Sequence, residues 1–209
     1  KGDLVKGKIV FINKAFDPAL INTGAAYGNT YPIRSDGASE SAKYGAVACI
    51  IRSLTSADDK FPHTGAMHYK EGVDRIPAAA ISSLESHHLH ELLKKGKVEF
   101  EIRMDCQLLE PVVQANVIGE IRGNIHPERI IVIGGHLDSW DIGEGAHDDG
   151  TGVVQSIEVL RLMKLAGYKP ACTIRCVLFM NEEFGNDGGK TYAKSFESRT
   201  DVHHVAAIE

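Results

Sequence analysis

Arg129-Ile130-Ile131-Val132-Ile133-Gly134-Gly135-His136-Leu137-Asp138-Ser139-Trp140-Asp141 reads as a short, almost wholly apolar strand running into a polar, acid-containing loop. A strand that is apolar at successive positions is buried on both faces, as in a parallel sheet covered by helices. Downstream, Val153, Ile157, Leu160 and Lys164 recur at helical spacing, and Gly167 and Pro170 stop that helix. Residues 173–180 form a second apolar strand, followed by a glycine-containing loop and a helix over about 189–196. Val205-Ala206-Ala207-Ile208-Glu209 reads as a further strand. Buried strands alternating with helices predict an α/β fold, a mostly parallel sheet flanked by helices. In such sheets ligands bind just beyond the carboxyl ends of the strands.

Upstream, residues 112–121 alternate as a strand, and the pattern changes before them. Residues 8–12 read as a strand, and a loop rich in Gly, Asn and Pro extends to Asp36. A short helix at 39–44, a buried strand at 46–52 and a polar loop at 53–74 follow. The remainder reads as a strand at 76–81, a helix at 84–95 and a strand at 97–104. Leu89, Leu92 and Leu93 give that helix its apolar face, and Gly96 stands where a C-cap glycine belongs. The expected organisation is therefore a smaller α/β domain over 1–108 and part of the parallel-sheet domain over 109–209. The opening residues lack the apolar core of a signal peptide and the last strand stops without a turn, so the chain reads as a piece of a longer protein.

The 209 residues are 43% hydrophobic, with 23 basic against 28 acidic side chains and a formal charge of -5. No basic stripe of the kind that binds nucleic acid is present, so no nucleic-acid partner is expected. No apolar run reaches the ~18 residues of a membrane span. The four cysteines, Cys49, Cys106, Cys172 and Cys176, read as buried free thiols. Cys172 and Cys176 would stand about 13 Å apart along an extended strand, at roughly 3.3 Å per residue, too far for a disulfide.

Three acid-rich clusters fall where the carboxyl-end rule points. They are Gly135 to Asp141 after the first buried strand, Gly145-Ala146-His147-Asp148-Asp149-Gly150-Thr151-Gly152 at the entry to the long helix, and Asn181-Glu182-Glu183-Phe184-Gly185 after the second strand. Each alone fits helix caps or solvated loop residues. Three in series at one sheet edge, without counter-charges, would repel unless a cation neutralised them. Nitrogen and oxygen donors without a thiolate suit zinc or a similar divalent ion. A His followed two residues later by Asp can supply a ligand together with the carboxylate that orients its ring.

HLDSWD, GAHDDGTG and NEEFG, in this order and spacing, resemble the cocatalytic zinc exopeptidases, the family of the bacterial leucyl aminopeptidases. The Trp140-Asp141 pair after HLDS is similar to the glutamate carboxypeptidase branch of that family. The resemblance implies that His136 binds one zinc, Asp148 bridges two, Glu183 binds the second, Glu182 is the general base and Asp138 orients His136. It implies two Zn2+ per complete site and a peptide or dipeptide substrate. It also implies a secreted, periplasmic or lysosomal location, and a homodimer of the full-length protein. Residues 35–54 resemble the protease-associated domain inserted in several such enzymes. The family needs two further ligands, an Asp just after the last strand and a later His, which this chain does not contain. The isolated chain is accordingly expected to be inactive and to bind zinc weakly. A metal-free receptor-like relative and a single-zinc cyclase of related fold are the alternative readings.

Other residues are expected to be structural. His87, His88 and His90 read as a solvated helix face, His203 and His204 as surface residues, and Asp149 as a helix cap. His147 is a candidate supporting residue of the bridging-aspartate motif. Trp140 and Asp141 either line a cleft or close a loop. Asp187, Gly185, Gly188 and Gly189 are expected to shape a turn.

Overall fold

The computed structural model describes residues 4–209, the side chain of Thr23 excepted. The chain divides into two compact units, the first ending at Leu108 and the second running from Leu109 to Glu209.

In the first unit, β1 (Ile9–Ile12), β2 (Ala48–Arg52) and β3 (Ala78–Ile81) form a parallel sheet in that order. Helices α1 (Thr23–Ser35), α2 (Gly37–Ala42) and α3 (Ser83–Lys95) complete it. β2 is the central strand and is buried at all five positions. Cys49 and Ile51 meet Ala38, Ala46, Leu54 and Ile76 in one core. α2 lies close to the sheet because Gly37 has no side chain; a Cβ there would stand 3.0 Å from Ile12 Cδ1.

Two segments of this unit differ from the sequence expectation. α1 replaces the second half of the expected loop. Its glycines and Pro32 argue against a helix, but Asn22 caps it through Ala25 N–H, and burial decides the outcome. Ala26 and Thr30 are buried, and Tyr31 and Ile33 pack against the core. Residues 97–104, expected as a strand, pair with nothing and carry exposed Phe100 and Met104. Alternation alone does not make a strand without a neighbour to complete its hydrogen bonds. α3 has a capping box between Ser82 and Glu85, yet of Leu89, Leu92 and Leu93 only Leu89 is buried.

In the second unit the strands are β4 (Val117–Ile121), β5 (His126–His136), β6 (Cys172–Phe179) and β7 (His203–Ile208), in the order β4-β6-β5-β7. β5 is parallel to both β6 and β7, and β4 is antiparallel to β6. The expected strand at 112–121 is regular only from Val117, since the residues before it have no ladder partner. The mostly parallel α/β fold read from the sequence is what the chain adopts. Helices α4 (Gly150–Leu165) and α5 (Asp187–Lys194) follow β5 and β6. Alternate residues of the central strands serve opposite faces. Ile133, Ile174, Cys176 and Leu178 pack with Val153, Leu160 and Met163 of α4. Ile130, Val132 and Val177 pack with Tyr192 of α5 and with Phe179 and Val202. Continuous apolar runs are therefore required, because both faces are covered.

The cysteines are free; Cys49 and Cys176 are buried, whereas Cys106 is exposed, unlike the expectation. No helix among the described residues is long and apolar enough to cross a membrane.

Gly134 fixes how closely β5 approaches β6. A Cβ there would stand 2.4 Å from the Val177 carbonyl oxygen, a backbone atom of the central sheet that cannot swing away. Gly134→Ala is expected to destabilise the chain by about 1–3 kcal/mol, the cost of overpacking a filled interior. A urea midpoint indistinguishable from wild type would contradict this packing.

Candidate metal centre

The three clusters converge at the carboxyl ends of β5 and β6. His136 is the last residue of β5 and pairs with Phe179, the last residue of β6. Asp148 and Asp149 immediately precede α4, and Glu182 and Glu183 follow β6 within a few residues. Each chemical group therefore stands at a point where a regular element begins or ends, so its backbone position is set by the sheet.

Asp149 ties the strand to the helix. Its Oδ1 accepts Gly152 N–H at 3.1 Å, capping α4, and its Oδ2 accepts His136 N–H at 3.0 Å. The carboxylate occupies space that only glycine leaves free, since a Cβ on Gly135 would stand 2.3 Å from Asp149 Oδ2. The expected cap role holds, and the second bond brings the helix entry, with Asp148, up to His136. The Asp148–Asp149 peptide is cis.

His136 is 6% exposed. Its Nδ1 donates to the main-chain carbonyl of Asp138 at 2.8 Å, which directs Nε2 to Asp148 Oδ1 at 3.0 Å. In this arrangement Asp138 meets the ring through its main-chain carbonyl and not its carboxylate. Its Oδ1 stands 3.8 Å from Nδ1, and the carboxylate instead accepts Glu182 N–H at 2.9 Å and Glu183 N–H at 3.1 Å. One residue fixes the imidazole through its carbonyl and the glutamate backbone through its side chain. A carboxylate two residues past a strand-end histidine can turn to the next strand's loop, whose two unpaired N–H groups offer better geometry.

The loop carrying the glutamates is also closed at its neck. Asn116, just before β4, accepts Met180 N–H at 3.0 Å through Oδ1 and donates to the Gly188 carbonyl at 2.9 Å through Nδ2. Gly188 N–H returns to Met180 O at 2.9 Å. Gly188 shapes this turn as expected, because a Cβ would lie 2.4 Å from Met180 O. Asn116 was missed in the sequence; an isolated Asn before a strand gives no sign of partners more than sixty residues away. Asn181, at φ 60°, spans the turn and donates to Asp187 at 2.7 Å.

His136, Asp148 and Glu183 each offer a donor atom within 4.8 Å of the others. One imidazole nitrogen and two carboxylates are donors that suit zinc. Among the described residues, no lysine or arginine forms an ion pair with any of the three. Burial raises the pKa of Glu183 and the Asp148 carboxylate adds to this, with the Trp140 indole acting the other way. Burial opposes protonation of His136, but the Asp138 carbonyl and the Asp148 carboxylate outweigh it and raise the imidazole pKa. Burial apart, the neighbouring carboxylates contribute to both shifts, and a divalent cation would offset their charge. The residues present therefore fit a zinc ion.

Around the centre, Trp140 packs on Phe184 with ring centroids 4.8 Å apart, closing the loop over Glu183. Asp141 and His147 are exposed. His87 is exposed on α3, 3.8 Å from Asp58. His204 is more engaged than a surface residue. Its Nε2 is 2.8 Å from Tyr192 Oη, and its ring meets Tyr192 and Phe196 edge-on.

With this geometry in hand, comparison with known proteins is specific. The family profile described as Peptidase family M28 matches residues 116–208. Carboxypeptidase Q of Xenopus laevis is 40% identical over 188 residues, 90% of this chain and 38% of that protein. The crystal structure of a Peptidase M28 precursor from Shewanella amazonensis superposes with a TM-score of 0.83 at 37% identity, covering 100% of this chain and 47% of that one. BSAP, a zinc aminopeptidase from Bacillus subtilis, shares the fold with a TM-score of 0.51 at 23% identity, over 93% of this chain and 41% of that one. The chain thus spans less than half the length of each of these relatives. Residues 116–208, and with them the whole of the candidate centre, match the profile of peptidase family M28.

Proposed function

We propose that this chain is part of a zinc-dependent exopeptidase that hydrolyses peptide bonds near a chain terminus. The observation that carries the reading is the approach of His136, Asp148 and Glu183 to within 4.8 Å of one another at the carboxyl edge of a parallel sheet. In this reading His136, Asp148 and Glu183 would hold the zinc, with Asp148 shared if two ions bind. A complete two-zinc set would need one further Asp and one further His. Bound zinc would acidify a coordinated water and polarise the scissile carbonyl.

The chain's own residues supply the rest. Glu182 is the general base: its carboxylate takes the proton of the attacking water and returns it to the nitrogen of the leaving amine. Its backbone N–H is pinned by Asp138, so the carboxylate swings from a fixed point next to His136. Asp138 and Asn116 are positioning residues that hold the glutamate loop at its tip and its neck. Trp140 and Phe184 exclude water from one side of Glu183. The proposal further takes residues 1–108 as a protease-associated-like domain. It places the full-length protein outside the cytosol, in the secreted or lysosomal space, and as a homodimer.

Three outcomes test this reading. In the full-length protein, Glu182→Gln should retain bound zinc while turnover of a dipeptide or exopeptidase substrate falls by about 10²–10⁴-fold, the usual worth of a positioned general base. Turnover within a factor of about two of wild type would remove Glu182 from the chemistry. Asp138→Asn replaces one acceptor oxygen with a donor facing a backbone N–H, and zinc affinity should fall about 10–100-fold with the fold retained; unchanged affinity refutes the positioning role. The 209-residue chain alone should show no metal-dependent hydrolysis and weak zinc binding, and robust turnover by it would contradict the ligand set.

A further inference from the structure

We propose that the first unit holds a separate binding site, a cavity anchored by Arg52 that takes a single carboxylate group. It shares no residue with the metal centre, so it stands or falls independently of the peptidase reading.

Arg52 is the last residue of the central strand β2 and is 7% exposed. A guanidinium is never neutral at ordinary pH, so burying it calls for a counter-charge or a full set of acceptors. Arg52 pairs directly with no carboxylate among the described residues, although that of Asp17 lines the same cavity. Its NH1 reaches the Ser83 carbonyl at 3.5 Å, the outer limit of a hydrogen bond, and its Nε has no partner. No carboxylate forms an ion pair with it. Arg34, also with a buried unpaired Nε, is provided for differently. Its guanidinium lies 5.5 Å and 5.3 Å from the ring centroids of Tyr27 and Tyr31, and it donates to Tyr27 Oη and to the Thr64 carbonyl. Arg52 has no aromatic cover of this kind.

Arg52 lines a cavity of about 290 Å³ together with Asp17, Thr55 and Ser56. The cavity lies at the carboxyl end of β2, the end at which parallel sheets place their ligands. Its volume suits one or two small residues or a small organic acid. Thr55 Oγ1 accepts Ala57 N–H at 3.0 Å, which leaves its O–H free to donate. Asp17 decides the ligand's charge. Its Oδ1 is held by Ala19 N–H at 2.9 Å, and it keeps a negative charge on the cavity wall. Asp17 repels any anion in the cavity, a dianion such as phosphate more than a monoanionic carboxylate, and the carboxylate can offset this by pairing with the guanidinium through two parallel hydrogen bonds. A free small acid and a peptide C-terminus offer the same group.

The 209-residue chain is titrated with sodium acetate, with N-acetyl-alanyl-alanine and with its C-terminal amide, each against sodium chloride at equal ionic strength. Melting temperature and the arginine Nε–Hε resonances are followed. A saturable rise in melting temperature with acetate, together with movement of one arginine resonance, supports the site. Tighter binding of the free-acid dipeptide than of acetate, with no response to the amide, assigns it to peptide C-termini; the reverse order assigns it to small acids. Arg52→Met should fold, because an apolar replacement of an unpaired buried charge is commonly neutral or stabilising, and should bind acetate at least about tenfold more weakly. Arg52→Lys serves as a second variant that keeps the charge without the fork, and should bind with intermediate affinity. If wild type responds to acetate no more than to chloride, or if Arg52→Met binds both carboxylates as well as wild type, the site does not exist.

Discussion

The Asp149 carboxylate, shared between the N–H of His136 and the N–H of Gly152, is the constraint on which the arrangement of the second unit depends. It joins the end of a buried strand to the start of a helix through one side chain. In doing so it sets Asp148 against His136 although twelve residues separate them. Charge-assisted bonds from a carboxylate to backbone N–H groups are among the stronger polar contacts available to a protein, and here each bond satisfies a donor that the strand end or helix start would otherwise leave open. The bare glycines on either side follow directly. Gly135 and Gly152 have to lack a Cβ for the carboxylate to fit between them.

Asp138 does for the second strand what Asp149 does for the first. Its side chain holds the backbone of Glu182 and Glu183, and its carbonyl sets the tautomer of His136. The acidic groups of the centre are therefore of two kinds. Asp138 and Asp149 have their lone pairs committed to backbone donors and build the frame. Asp148 and Glu183 keep theirs directed at each other's neighbourhood and at His136, which leaves an uncompensated negative charge. One buried imidazole, one half-buried glutamate and one exposed aspartate with converging donor atoms are a geometry that fits a cation, and the frame keeps the donors in place for it.

The sequence made the second unit readable because the two signals it depends on are local. An unbroken apolar run at 130–133 and a mostly apolar one at 173–179, interrupted by Arg175, mark strands covered on both faces, and the acid clusters follow them closely. What it hid was long-range or opposed by local propensity. α1 forms through burial of Ala26 and Thr30 despite Gly24, Gly28 and Pro32. Asn116 works through partners just after β6 and at the start of α5, and nothing adjacent to it in the chain announces this. The carboxylate of Asp138 was read as facing its neighbour His136, when the unpaired donors of the next loop attract it more strongly. Residues 97–104 alternate like a strand but form no ladder with any strand among the described residues.

All of this turns on a divalent ion seated among His136, Asp148 and Glu183. Crystals of the full-length protein grown with zinc, with diffraction collected on both sides of the zinc absorption edge, test that directly. The account predicts anomalous density about 2.0–2.2 Å from His136 Nε2 and from carboxylate oxygens of Asp148 and Glu183, the range of zinc bonds to nitrogen and oxygen. Anomalous density confined to other residues, with His136 Nε2 bonded only to Asp148, would contradict it.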